Sequence, residues 1–88
     1  MLEHIIEDLR HLIADKLDRN IPLDAIDPEA PLLGEGLNLD SLAIVELITV
    51  SEEHFGIEFG EDDLTIEAFA NVRTLAGVIA ARRVPAGA

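Results

Sequence analysis

The chain has no cysteine, so disulfides and any zinc site built on thiolates are excluded. Its aromatic residues are three Phe, with neither Trp nor Tyr, which does not make a platform for stacking bases. Basic residues are also scarce: six Lys and Arg stand against 18 Asp and Glu, for a net charge of −12. Such a chain repels nucleic acid and anionic membranes, both of which select positive charge. No apolar run approaches the roughly 20 residues of a membrane-spanning helix. The N-terminal stretch is amphipathic and acidic rather than basic and then apolar, so no signal peptide is read there and the cytoplasm is the expected location.

What is present is a small helical domain. A hydrophobic content of 49%, arranged at helical spacing, argues against disorder, and 88 residues form one domain with a modest core. We expect that domain to span residues 1–84, with a flexible tail at 85–88. The charge is unevenly placed: residues 20–72 hold 13 acidic side chains and no Lys or Arg. Such a stretch serves as a solubilising surface, or as a docking surface for basic partners, where attraction speeds encounter and salt weakens it.

In residues 2–18, Leu2, Ile5, Ile6, Leu9, Leu12, Ile13 and Leu17 recur at helical spacing, predicting an amphipathic core helix. His4, Glu7 and His11 share a face, but their spacing covers two turns and offers no firm fourth metal ligand, so they are read as surface residues. Residues 20–39 carry Pro22, Pro28 and Pro31 and form a long connecting loop. Its apolar residues Ile21, Leu23, Ile26, Leu32, Leu33, Leu37 and Leu39 are expected to pin it to the core. The acidic run from Asp18 to Glu29 lacks the Asp-x-Asp-x-Asp-Gly pattern of a calcium loop.

The loop ends in Gly36-Leu37-Asn38-Leu39-Asp40-Ser41-Leu42, and a helix is predicted over about 41–55. Asp40 is suited to the N-cap, where its carboxylate accepts from a first-turn N–H. Ser41 then opens the helix with its hydroxyl toward solvent. At about 100° per residue, Ile44, Leu47, Ile48, Ser51 and Phe55 share an inner face, and Leu42, Val45, Glu46, Thr49 and Glu53 an outer one. Gly56 is placed to end the helix in the left-handed region. Beyond it, Ile57–Gly60 reads as an extended link and Glu61–Leu64 as a loop or helical turn. Thr65–Phe69 is read as a brief third helix with Ile66 and Phe69 inward. A last helix runs from Val72 to Arg83, capped by Asn71, with Gly77 permitting close packing.

The run Gly-Leu-Asn-Leu-Asp-Ser-Leu, with Val45-Glu46-Leu47 and Glu52-Glu53-His54-Phe55-Gly56-Ile57, strongly resembles the acyl carrier proteins. The likeness runs from the first helix to about Arg83. It implies an all-α four-helix bundle, with three longer helices, one short helix and a long loop between helices 1 and 2. It also implies a 4′-phosphopantetheine arm on Ser41, flanked by Asp40 and Leu42, whose thiol carries acyl groups for fatty-acid, lipid or polyketide-type biosynthesis. The implied partners are a phosphopantetheinyl transferase (holo-acyl-carrier-protein synthase) and acyl-loading enzymes, ketosynthases or acyltransferases with basic docking surfaces. They would meet Leu42, Val45, Glu46, Thr49 and Glu53. The chain itself would be a monomeric carrier and no enzyme, taking no metal, no nucleic acid and no membrane insertion. If acyl chains enter the bundle, Ile44, Leu47, Ile48, Ser51 and Phe55 are the candidate pocket.

Three departures from the commonest fatty-acid pattern point to a specialised carrier. Ala43 stands where an acidic residue is usual, removing one charged contact to partners. Ser51 stands at an inner position that is usually large and apolar, and Thr49 at an outer one that is often apolar. Ser51 would alter the pocket's polarity, or bond back to the carbonyl four residues earlier. The alternatives are a peptidyl or aminoacyl carrier using the same serine, and an unmodified acidic helical interaction module. Enzymatic use of Ser51 and His54 is the weakest reading, since they fall on different faces with no orienting acid.

Overall fold

The computed structural model describes residues 2–17, 21–33 and 36–82. Its helices are α1 (Leu2–Asp15), α2 (Ser41–Phe55) and α3 (Val72–Arg82), with short 3₁₀ turns at Leu23–Ala25 and Glu61–Asp63. Among the described residues there is no strand, only an isolated bridge between Pro31 and Asn71.

The apolar spacing of α1 buries Ile5, Ile6, Leu9, Leu12 and Ile13. These meet Val72, Leu75, Ala76 and Ile79 of α3, and α1 packs more extensively on α3 than on α2. From α2 only Ala43, Leu47 and Ser51 are fully buried; Ile44, Ile48 and Phe55 lie half-buried against the core. Helix α2 thus lies over an α1–α3 core, with Ser41, Leu42, Val45, Thr49, Glu53 and His54 exposed on its outer side.

The long loop is held by both side chains and backbone. Ile26, Leu32 and Leu39 are buried in the core and Ile21 and Leu37 pack against it. Arg10 reaches from α1 to donate to the carbonyls of Ile26 (2.8 Å) and Leu23 (3.0 Å), while its other nitrogen pairs with Glu7. On the far side, Leu32 N–H donates to Ala70 O at 3.1 Å and Arg73 N–H to Pro28 O at 3.1 Å. The Arg73 side chain also pairs with Glu29. The loop is therefore fixed at both ends of the core, and with it the start of α2.

Several expectations change. Helix α1 stops at Asp15, and Leu17 enters the core from the turn that follows; Asp18 lies outside the described residues. Residues 65–69 form turns rather than a third helix, so the described residues hold three helices, not four. Within those turns Phe69 is buried but Ile66 points outward, 80% exposed, because a turn presents its side chains without a helical face. Leu33 is likewise exposed rather than tucked in. Gly77 faces open space, with nothing within 4 Å of where a Cβ would lie, so it does not serve close packing. Arg83 and the tail at 85–88 lie outside the described residues.

Candidate functional site

The site is the junction of loop and α2. Gly36 passes so close to Pro31 that a Cβ there would lie 1.8 Å from the Pro31 oxygen; this turn is closed by Leu37 N–H donating to Pro31 O at 2.8 Å. Asn38 follows in the left-handed region at φ 57°, which asparagine tolerates better than other non-glycine residues. Leu39 then returns to the loop's own backbone, donating to Leu32 O at 2.8 Å. These three constraints set the direction from which the chain enters α2.

Asp40 caps the helix as the sequence predicts. Its backbone is extended (φ −92°, ψ −179°) and its Oδ1 accepts from Ala43 N–H at 2.8 Å. Ile44 N–H donates to Asp40 O at 3.0 Å, closing the first intrahelical bond. Ser41 and Leu42 are left at the helix end with N–H groups that have no intrahelical acceptor, under the positive end of the helix dipole. Ser41 is exposed. At the other end, Gly56 takes φ 67° and donates to Glu52 O, and Glu52 carboxylate accepts from Phe59 N–H at 2.9 Å. Glu52 therefore organises the link after α2.

The outer face agrees with the sequence. Leu42 and Val45 are 64% and 56% exposed, Thr49 and Glu53 are exposed, and Glu46 is half-buried. Thr49 spends its hydroxyl on Val45 O at 3.1 Å. Ala43 is fully buried. The reason is angular: Ala43 precedes Leu47 and Ser51 by four and eight residues and shares their inward stripe.

Starting one turn along α2 from Ser41, an open cleft of about 290 Å³ runs between loop, α2 and the 64–69 turn, lined by Leu33, Ile44, Ile48, Leu64, Thr65, Ile66 and Phe69. Of the residues expected to form a pocket, Ile44 and Ile48 line it. Leu47 and Ser51 are buried behind the helix surface, and Phe55 lies two turns further on. Leu64 and Leu33 carry no sequence signal for this role; their place comes from the loop tethers. Ser51 Oγ has no hydrogen-bond partner among the described residues, so the expected bond to its own helix is not made. His54 contacts Asp8 of α1 at 3.3 Å and lies edge-on to Phe55 at 4.8 Å, so Ser51 and His54 do not form a pair. His4 and His11 are exposed, and Glu7 is taken up by Arg10.

A helical scaffold that presents an exposed serine at a capped helix end, one turn from an apolar cleft, has the build of a carrier domain. The family model described as the phosphopantetheine attachment site matches residues 7–79, and the chain belongs to that family as an acyl carrier protein. The acyl carrier protein of Desulforapulum autotrophicum is 42% identical over 55 residues, 62% of this chain and 69% of that one. That of Thermosynechococcus vestitus is 39% identical over 59 residues, 67% of this chain and 69% of that one. The solution structure of holo acyl carrier protein NE2163 from Nitrosomonas europaea superposes with a TM-score of 0.73 at 28% identity, covering 86% of this chain and 92% of that one. A chain in the crystal structure of an engineered Bradyrhizobium japonicum glycine:[carrier protein] ligase complexed with carrier protein from Agrobacterium tumefaciens and ATP gives 0.71 at 30% identity, covering 86% and 97%. The prosthetic group of the chain is 4′-phosphopantetheine, which suits the exposed serine and open N–H groups at the start of α2.

Proposed function

We propose that Ser41 bears the phosphopantetheine arm and that the chain delivers acyl groups between enzymes of a specialised lipid or polyketide-type pathway. The observation that carries this reading is the exposed Ser41 hydroxyl at the first position of α2, held by the Asp40 cap. The Ser41 and Leu42 N–H groups and the helix dipole favour the phosphodiester anion. No base is needed within the chain, because the transferase supplies it: Ser41 Oγ bonds to the phosphorus on the pantetheine side of coenzyme A as that phosphorus's bond to the bridging pyrophosphate oxygen breaks, adenosine 3′,5′-bisphosphate leaves, and the hydroxyl proton passes to the transferase's base. When bound, the arm supplies a thiol that holds cargo as a thioester, chemistry that a chain without cysteine lacks. The chain is then a scaffold for its partners' catalysis and not an enzyme.

Leu42 and Val45, flanked by Glu46 and Glu53, present an apolar strip with acidic edges to a basic groove. The transferase, ketosynthases and acyltransferases meet the carrier there, and Thr49 adds contact area. The cleft walled by Ile44 and Ile48 shelters the near part of the cargo. The domain of residues 1–84 works as a monomer in the cytoplasm; among the described residues no helix is long and apolar enough to cross a membrane. The similarity to a chain from a glycine:[carrier protein] ligase complex supports a second reading, an aminoacyl carrier using the same serine. Incubation with coenzyme A and a broad-specificity phosphopantetheinyl transferase, read by intact mass, tests the carrier role. The wild type gains one phosphopantetheine and Ser41→Ala gains none; equal behaviour of the two overturns the assignment. Loading of the product by fatty-acyl or by amino-acid ligases separates the two cargo readings.

A further inference from the structure

Among the described residues Ser51 is the one polar side chain that is completely buried, and its Oγ has no hydrogen-bond partner. Buried hydroxyls are normally paired, and an unpaired one is a cost the fold carries for a reason. Bonding back to the helix is open to α2 hydroxyls, as Thr49 shows with Val45 O, yet Ser51 does not use it. Its position is informative. Ser51 lies about 20° around the helix from Ile44 and about 10 Å further along. Ile44 and Ile48 form the α2 wall of the open cleft. Ile44, Ile48 and Ser51 follow one another along one side of α2: the first two wall the cleft, and Ser51 lies beyond it, fully buried, with a hydroxyl rather than a hydrocarbon.

We infer that Ser51 Oγ is a specificity contact for cargo, pairing with an oxo or hydroxy oxygen carried along the acyl chain and favouring oxygenated chains over saturated ones. This rests on the carrier reading and on the cleft as the route of cargo into the bundle. A saturated chain passing Ile44 and Ile48 leaves the Ser51 hydroxyl unpaired in an apolar interior. A chain oxygen accepts its proton and removes that deficit. A site whose buried polar group needs a partner discriminates against the analogue lacking one.

The test loads holo wild type and holo Ser51→Ala with octanoyl, 3-oxo-octanoyl and 7-oxo-octanoyl groups and measures Tm. In the wild type at least one oxo chain raises Tm above the octanoyl form by about 4–8 °C, the shift one net hydrogen bond brings in a domain of this size. In Ser51→Ala that excess disappears, while the apo variant, relieved of an unpaired hydroxyl, melts no lower than apo wild type. Octanoyl matching or exceeding both oxo chains in the wild type, or an excess that survives in Ser51→Ala, overturns the inference. Failure of the folded chain to take up phosphopantetheine removes the carrier reading and this one together. Loading without an oxo excess removes this one alone.

Discussion

Asp40 Oδ1 accepts the Ala43 N–H at 2.8 Å, and this bond fixes where α2 begins and so where Ser41 stands. Replacing Asp40 by Ala removes the cap and is expected to cost about 1 kcal/mol, whereas Asn or Ser retains most of it. Urea denaturation of the three variants checks the order. Modification of Ser41 should also slow in Asp40→Ala, because the first turn frays where the transferase must grip it.

Two glycines make opposite predictions. Gly77 sits inside α3 facing open space, so Gly77→Ala is expected to stabilise the fold by about 0.5–1 kcal/mol. Gly36→Ala places a methyl 1.8 Å from the Pro31 oxygen, which forces the loop apart. It should lower thermal stability and impair phosphopantetheine uptake together, since the same turn aims the chain into α2.

Arg82 donates to Asp63 at 2.5 Å and Gly60 N–H donates to the same oxygen at 2.9 Å. The guanidinium first, and then the backbone bond, hold the Asp63 carboxyl below the ordinary carboxylate value. A folded value below the unfolded one contributes stability that is complete above about pH 4 and is lost as pH falls through the folded value. Arg82→Ala is therefore less stable than wild type at neutral pH, and the difference closes in acid. Melting temperatures taken from pH 7 down to pH 3 follow this; a gap independent of pH contradicts it.

Docking through the acidic outer face predicts a particular kinetic pattern. Glu46→Lys and Glu53→Lys are each expected to raise the KM for transferase modification by roughly two- to fivefold, with kcat little changed. The salt dependence of KM should become shallower in both. Leu42→Ala is expected to raise KM without altering that salt dependence.

The features legible in the sequence were those set by local chemistry. Asp40 at the cap, Gly56 in the left-handed region and Asn71 accepting from Thr74 N–H at 2.7 Å each act within a few residues of themselves. The α1 stripe was equally plain, because a repeating pattern over four turns admits one buried face. What was missed depends on distant partners. Thr65–Phe69 has apolar spacing that suits a short helix, but a segment of five residues takes its shape from what it packs on, and here Ile66 is left outside. The Arg10 contacts with loop carbonyls leave no trace in the sequence, since any residue supplies such an acceptor. His54 meets Asp8 across 46 positions, and the spacing that turns Ser51 inward says nothing of whether its hydroxyl is paired. The motif points to Ser41; the cleft one turn along α2 takes shape only with the loop in place.

The proposed attachment point of the arm is Ser41. The chain has two serines, Ser41 and Ser51, and the second is fully buried. The most direct measurement is fragmentation mass spectrometry of the protein after incubation with coenzyme A and a phosphopantetheinyl transferase, assigning the modified residue. Phosphopantetheine on Ser41, with Ser51 unmodified, is the predicted result. A folded protein that takes the group at another residue, or that stays unmodified with several transferases, contradicts it.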